Sequence, residues 1–342
     1  MELEQIPQLS EYLSHSSGQK ITIQDAKPLA GGASRDSWYL RAEISEPDGT
    51  KQEAHWVLRQ DLPTQMTETA LTRRQEYLLM SLAHKAGVKV AAMRFLCEDH
   101  GVLGSDFLIM DYMPGVSIGS KVIRDEALAA ARAVLPEQLA QELAKIHQME
   151  IGPELSFLRK PQPGLSPAEQ TISHMRGVLD QLRVRNPVWE FLLRWCERYL
   201  PEESPLSFIH GDYRIGNILV DKSGLSAVID WEFAHIGDFY EELGYICMRD
   251  WRFGKGHLRF AGLSDRDQFL KAYESARGIS VNREKVDWWE LMGNIRWGII
   301  CHSQADRHLS GADPSVELAS LGRRSVEMQY EALCLVQRMK QI

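Results

Sequence analysis

Asp212, Asn217 and Asp230 form the spacing that most restricts what this chain can become. Asp212 lies in the run His210-Gly211-Asp212-Tyr213-Arg214, five residues before Asn217. Thirteen residues after that amide, Asp230 closes the apolar run Ala227-Val228-Ile229. Residues 217–221 and 225–230 read as a short hairpin around Lys222-Ser223-Gly224. Asp230 would thus project from the end of a strand, and Asp212 from a loop behind Phe208-Ile209. Singly, Asp212 and Asn217 read as turn formers and Asp230 as a helix cap. Together they supply a base for an attacking hydroxyl and two hard oxygen ligands for Mg²⁺, the set that phosphoryl transfer from a nucleotide needs.

The rest of the chain reads as two regions of different character. A short helix over 1–18 ends near Gly18. Strand patterns follow around Ile21 and Ile23, over Trp38–Ile44, over His55–Arg59, at Met93–Cys97 and at Phe107–Tyr112. One helix is expected over 67–86, closed by Gly87, and a turn at Gly101…Gly104. Met113-Pro114-Gly115 breaks the pattern. Beyond it the apolar period is helical over 124–149, 167–184, 187–200, 238–248, 264–276, 282–309 and 314–340. The expected organisation is an N-terminal region 1–112 built on an antiparallel sheet and a mainly helical region 113–342, an α+β fold.

Composition removes several function classes. With 342 residues there is ample core for two regions. A net charge of −8 argues against a general nucleic-acid binder, whose affinity would come from clustered Lys and Arg. No run approaches the eighteen apolar residues of a membrane span, and Met-Glu-Leu-Glu-Gln lacks an apolar signal core. Cys97, Cys196, Cys247, Cys301 and Cys334 are scattered without a C-x-x-C pair, which points to buried thiols in a reducing cytoplasm.

The His210-Gly211-Asp212 and Asn217 run, followed by Ile229-Asp230-Trp231-Glu232, resembles the motif set of the aminoglycoside phosphotransferase family. The resemblance extends from about Leu29 to about Arg324. It implies a two-lobed, protein-kinase-like fold with ATP held between the lobes. It also implies Asp212 as the catalytic aspartate, with Asn217 and Asp230 as ligands of Mg²⁺. Arg214 stands where protein kinases carry a Lys beside the transferring phosphate, although a surface loop Arg fits the sequence as well.

The same resemblance assigns nucleotide contacts. Leu29-Ala30-Gly31-Gly32-Ala33-Ser34-Arg35 is similar to the phosphate-covering loop. There Gly31, Gly32 and Ser34 would bring backbone N–H groups close to phosphates; an ordinary hairpin turn is the plainer reading. Arg59 occupies the place of the usual phosphate-touching Lys, a departure, because Arg is bulkier and grips with a fork. Glu76 matches its acidic partner, and Asp111 and Tyr112 fall in the segment resembling the adenine-reading hinge. Glu242 stands where the family often has Asp, placed to anchor His210. Gly293–Trp297, Arg307–Gly311 and Leu321–Arg324 resemble the branch fused to some acyl-CoA dehydrogenases. His302, His308 and Trp288-Trp289 read as core or interface.

The implied activity is transfer of the ATP γ-phosphate to a hydroxyl of a small molecule. Two rivals remain at this stage: an antibiotic kinase of the aminoglycoside type, and a catalytically silent nucleotide-binding module suggested by Arg59. A protein kinase proper ranks below both, because no Ala-Pro-Glu signature follows Asp230. Residues 249–324 hold thirteen Lys and Arg against ten Asp and Glu. That balance, with Arg296, Arg307, Arg323 and Arg324 in the segment, favours a neutral or anionic acceptor, such as a hydroxyacyl thioester, over a polycation.

Overall fold

A computed structural model describes residues 1–29, 35–61 and 71–339. The chain divides into two compact units. Met1–Gly115 with Leu219–Asp221 and Ser226–Phe233 make the first; Val116–Ile218, Lys222–Leu225 and Ala234–Ile342 make the second.

In the first unit, helix α1 (Ile6–Ser17) precedes strands β1 (Lys20–Pro28), β2 (Arg35–Ser45) and β3 (Lys51–Asp61). Helix α2 (Arg73–Lys85), strand β4 (Met93–Cys97), the single turn α3 (His100–Leu103) and strand β5 (Phe107–Asp111) complete it. The strands form one antiparallel sheet in the order β1-β2-β3-β5-β4. Leu9 and Leu13 of α1 pack with Leu40, Trp56, Leu58, Phe107 and Ile109 from alternate strand positions. Gly18, at φ 71°, ends α1 in the left-handed conformation that glycine adopts without strain. Thr72 starts α2 through a reciprocal capping box with Gln75, so the helix begins six residues later than the sequence pattern suggests. Gly101…Gly104 is not a bare turn: Asp99 caps the helical turn α3, and Gly104 closes it at φ 88°.

The second unit is helical: α4 (Gly119–Arg124), α5 (Ala129–His147), α6 (Pro167–Gln181) and α7 (Pro187–Arg198) come first. Strand β6 (Ser207–Ile209) leads into the Asp212 loop. Strands β7 (Ile218–Asp221) and β8 (Gly224–Val228) form the expected hairpin, whose residues are divided between the units as given above. Strand β9 (His235–Gly237) pairs antiparallel with β6, and α8 (Tyr240–Tyr245), α9 (Arg266–Arg277), α10 (Arg283–Leu309) and α11 (Val316–Met339) follow. The single helix expected over 124–149 is broken near its start. Asp125 accepts from the Ala127 N–H and opens a separate 3₁₀ turn before α5. Ser166 with Glu169, and Asn186 with Pro187, cap α6 and α7 as their sequences suggest. Trp288 and Trp289 are buried in α10, and His302 accepts from Trp189 Nε1 at 3.2 Å, so these residues serve packing. Four of the five cysteines are buried and none is bridged.

Candidate active site

The Asp212 loop is fixed from below by one carboxylate. Glu242, 1% exposed on α8, accepts the backbone N–H of His210 at 3.0 Å and of Gly211 at 2.9 Å. Its Oε2 also meets His147 Nε2 at 3.0 Å, and His147 Nδ1 pairs with the Tyr273 hydroxyl at 2.7 Å. Burial alone would raise the Glu242 pKa, but His147, His210 and the donated N–H hold it below the usual range. The anchor grips the loop backbone at His210 and Gly211. The His210 imidazole, fully buried, accepts the Asp212 N–H at 3.3 Å. Gly211 turns the chain at φ 90°, a conformation open to glycine at little cost.

Three side chains converge on the Asp212 carboxylate. Arg214 Nε donates to both oxygens at 3.1 Å. Tyr245 donates its hydroxyl to Oδ1 at 2.8 Å, and burial beside that carboxylate pushes the phenol pKa well above its ordinary value, keeping it a donor. Asn217 Nδ2 donates to the Asp212 carbonyl at 3.0 Å and to Oδ2 at 2.5 Å. The Arg214 guanidinium in turn lies 4.9 Å from the Trp251 ring centroid. Asp212 is thus a preorganised acceptor with its lone pairs directed by protein donors, the state a hydroxyl-orienting base requires.

In the first unit Arg59, Glu76 and Asp230 come together. Arg59 Nη1 donates to Glu76 Oε1 at 2.5 Å, and Arg59 Nη2 lies 4.0 Å from Asp230 Oδ1. Glu76 is fully buried; its second oxygen pairs with Arg73, whose Nε meets Asp61 at 2.9 Å. Burial would lower the Arg59 pKa, yet Glu76, Asp230, Glu232 and Asp61 raise it overall, so the charge is secure. Glu76 is therefore not a solvated helix residue. It holds Arg59 by one oxygen while the other is taken by Arg73.

Asp230 has φ 68°, two residues past the end of β8. A left-handed non-glycine residue at that place turns a partly exposed carboxylate out of the strand direction. Asp230 in the first unit and Asn217 in the second each offer a hard oxygen of the kind a divalent cation takes. Asn217 has its amide nitrogen engaged by Asp212, which directs Oδ1 away from that carboxylate. Among the described residues no cluster of three His, Cys, Asp or Glu offers a different metal site.

Other expected positions stand differently. Gly31, Gly32 and Ser34 lie outside the described residues. Asp111 and Tyr112 have their N–H groups committed within the sheet region, to Ala92 O and to His55 O, both at 2.9 Å. The Asp111 carboxylate is held bidentate by Arg94 at 2.7 and 2.6 Å. Arg307 pairs with Asp313 and Arg324 with Asp250, so the late basic residues are not one patch. Arg296 reaches the Asp212 loop, donating to Gly211 O at 2.9 Å. Tyr245 and His147 carry no sequence signal, because their partners lie 33 and 95 residues away.

Known proteins resemble this chain in sequence and fold. The model of the family described as "Phosphotransferase enzyme family" matches residues 25–289. Acyl-CoA dehydrogenase family member 10 of Mus musculus is 26% identical over 257 residues, 71% of this chain and 22% of that protein, so the chain spans about a fifth of that relative's length. A structure from Ralstonia eutropha, provisionally described as an aminoglycoside phosphotransferase, superposes with a TM-score of 0.74 at 19% identity, covering 97% of this chain and 98% of the other. Spectinomycin phosphotransferase, solved with ADP and spectinomycin, gives a TM-score of 0.58 at 14% identity over 95% and 98% of the two chains. The fold is the kinase-like α+β fold of these neighbours.

Proposed function

The chain belongs to the phosphotransferase enzyme family, and from that premise we propose that it moves the γ-phosphate of ATP to a hydroxyl of a small molecule. The observation that carries the proposal is the Asp212 carboxylate, aligned by Arg214, Asn217 and Tyr245 in a loop pinned by Glu242.

Asp212 orients the acceptor hydroxyl and takes its proton as the oxygen attacks phosphorus. Arg214 offsets negative charge near the transferring group while keeping one contact to Asp212. Arg59, secured by Glu76, holds nucleotide phosphates with a fork of donors. Asn217 and Asp230 would hold Mg²⁺. Bound there, the ion would neutralise charge on the β- and γ-phosphates and favour ADP departure. Residues 1–112 take the nucleotide part of this work and residues 113–342 the base and acceptor.

The likeness to an acyl-CoA dehydrogenase family member puts thioesters of hydroxy acids on the acceptor panel beside aminoglycosides and simple hydroxylated metabolites. Incubation of the protein with Mg-ATP and such a panel, read by ADP release and by mass of the phosphorylated product, tests the proposal. Product formation with at least one hydroxylated compound is expected. Nucleotide binding without turnover of any compound would favour the silent binding module.

A further inference from the structure

Residues of α4, α5 and the segment 255–263 line one groove of about 410 Å³, wholly within the second unit. Three cations belong to its lining: Arg124 at the end of α4, Arg132 on α5 and Lys255 on the facing segment. The two guanidinium groups are held by backbone carbonyls rather than by carboxylates. Arg124 donates to Phe253 O through Nε at 3.3 Å and Nη2 at 2.8 Å. Arg132 Nη1 donates to Val122 O at 3.1 Å and to Asp125 O at 2.5 Å. Carbonyls fix a guanidinium in place and leave its full charge to be met by something else. Lys255 is exposed.

The wall that carries Lys255 is clamped into shape. Arg252, 4% exposed, donates to Gly256 O at 3.0 Å, to Cys247 O at 2.7 Å and to Glu290 at 2.9 Å. Phe253 at φ 45° and Ala261 at φ 49° hold left-handed backbone, which strains a non-glycine residue. Gly262 runs so close to Arg252 that a Cβ would stand 2.5 Å from the Arg252 carbonyl oxygen. Strain of this kind persists only where the surroundings enforce it, and it gathers where a segment must present a defined surface. Phe253 also ties this wall to the Asp212 loop. It covers Gly119, where a Cβ would stand 2.5 Å from its ring and 2.9 Å from Ile215.

We propose that this groove binds a phosphate monoester with an apolar body, its phosphate between Arg124, Arg132 and Lys255. Three cations against one lining carboxylate, Glu126, leave two positive charges. The neighbouring Asp125 carboxylate accepts the Ala127 N–H at 2.9 Å. A phosphate group, at about −1.5 to −2 near neutral pH, matches that excess better than a carboxylate does. Guanidinium forks and an ammonium also suit its three oxygens. Ile123, Leu258 and Leu263 give the ester carbons an apolar wall. Lys255 carries the most available charge, because both guanidinium groups are already bonded to carbonyls. The site uses no residue assigned to base, metal or nucleotide and stands independently of the phosphotransferase reading.

The test is a ligand-observed NMR titration of the full chain with benzyl phosphate, phenylacetate and benzyl alcohol, with and without saturating Mg-ADP. The three probes share an apolar ring and differ in charge. Benzyl phosphate is expected to bind at least about fivefold tighter than the other two, with less than about a twofold change when Mg-ADP is present. Lys255→Glu and Ala133→Glu place a carboxylate on two different elements of the lining, both at exposed positions. Each should weaken benzyl phosphate at least about fivefold, and Lys255→Arg should retain most of the affinity. Equal binding of the three probes, displacement of benzyl phosphate by Mg-ADP, wild-type affinity in either glutamate variant, or no measurable binding of benzyl phosphate would overturn the proposal.

Discussion

Asn217 donates one side-chain nitrogen to two atoms of Asp212, its carbonyl at 3.0 Å and its carboxylate at 2.5 Å. The pair ties a proposed metal ligand to the proposed base, so the Asn217 amide bears on how the base is oriented. Asn217→Asp supplies a harder ligand but removes the donor and sets two carboxylates in contact. Like charges there raise the apparent pKa of the pair. We expect kcat to fall at least about tenfold and the acidic limb of the pH–rate profile to move up by about one unit or more. A wild-type profile would show that the amide donor does not matter to the base.

Glu242 makes a second, separable prediction about stability. Its removal leaves the His210 and Gly211 N–H groups without their buried acceptor, at a cost of about 1–3 kcal/mol each. Glu242→Ala should therefore lose several kcal/mol in denaturant unfolding, and kcat should fall further than the stability loss accounts for at temperatures where the variant is folded. Unchanged stability would mean that water satisfies the loop.

Glu241 predicts a pH dependence. Burial would raise its pKa, but His235 Nε2, 3.3 Å from one of its oxygens, and Arg296, paired with the other, more than offset that. Its folded pKa of about 2 lies below the ordinary 4.5, so the ionised form stabilises the fold above the unfolded pKa. The contribution, roughly 3 kcal/mol from that gap, is fully present at neutral pH and is lost as pH falls from about 4.5 towards about 2. Glu241→Gln should be less stable than wild type at pH 7, with the difference shrinking below pH 4.5. Unfolding midpoints at pH 7, 5 and 3.5 measure it. A difference that grows on acidification would contradict the ion-pair assignment.

Asp230 separates backbone from charge. Asn, like Asp, tolerates the left-handed φ of 68° better than most non-glycine residues. Asp230→Asn should keep wild-type stability while weakening Mg-dependent nucleotide binding at least about tenfold, because a full charge leaves a hard-cation site. Asp230→Ala should weaken binding similarly and also destabilise the turn. Equal nucleotide affinity in wild type and Asp230→Asn would remove Asp230 from the ligand set.

Much of this was legible beforehand because it is local. The hairpin at 217–230, the strands with alternating apolar residues and the capped helices α6 and α7 follow from periods and turn residues within a few positions. The spacing of Asp212, Asn217 and Asp230 carried the reaction class for the same reason. What stayed hidden is non-local. Tyr245 and Arg296 reach the loop from α8 and α10, His147 reaches its anchor Glu242 from α5, and no short pattern marks a side chain whose partner lies tens of residues away. Arg307 and Arg324 illustrate the converse: counted as free positive charge, they are ion-paired in the fold. The acceptors of the Asp111 and Tyr112 N–H groups, Ala92 O and His55 O, are likewise set by sheet pairing that a strand pattern cannot reveal.

Arg59 tests the nucleotide side. Arg59→Ala should raise the KM for ATP at least about tenfold, and Arg59→Lys should recover part of it, since Lys keeps the charge but not the second guanidinium nitrogen that faces Asp230 while the first holds Glu76. A KM unchanged in both variants would place the phosphate anchor elsewhere.

Asp212→Ala, assayed with Mg-ATP and an acceptor found in the panel, tests the central claim most directly. The account predicts a loss of kcat on the order of 10²–10⁴, the range for removing a general base, with the Kd for Mg-ADP within about twofold of wild type. Transfer by Asp212→Ala at a rate near that of wild type would contradict it.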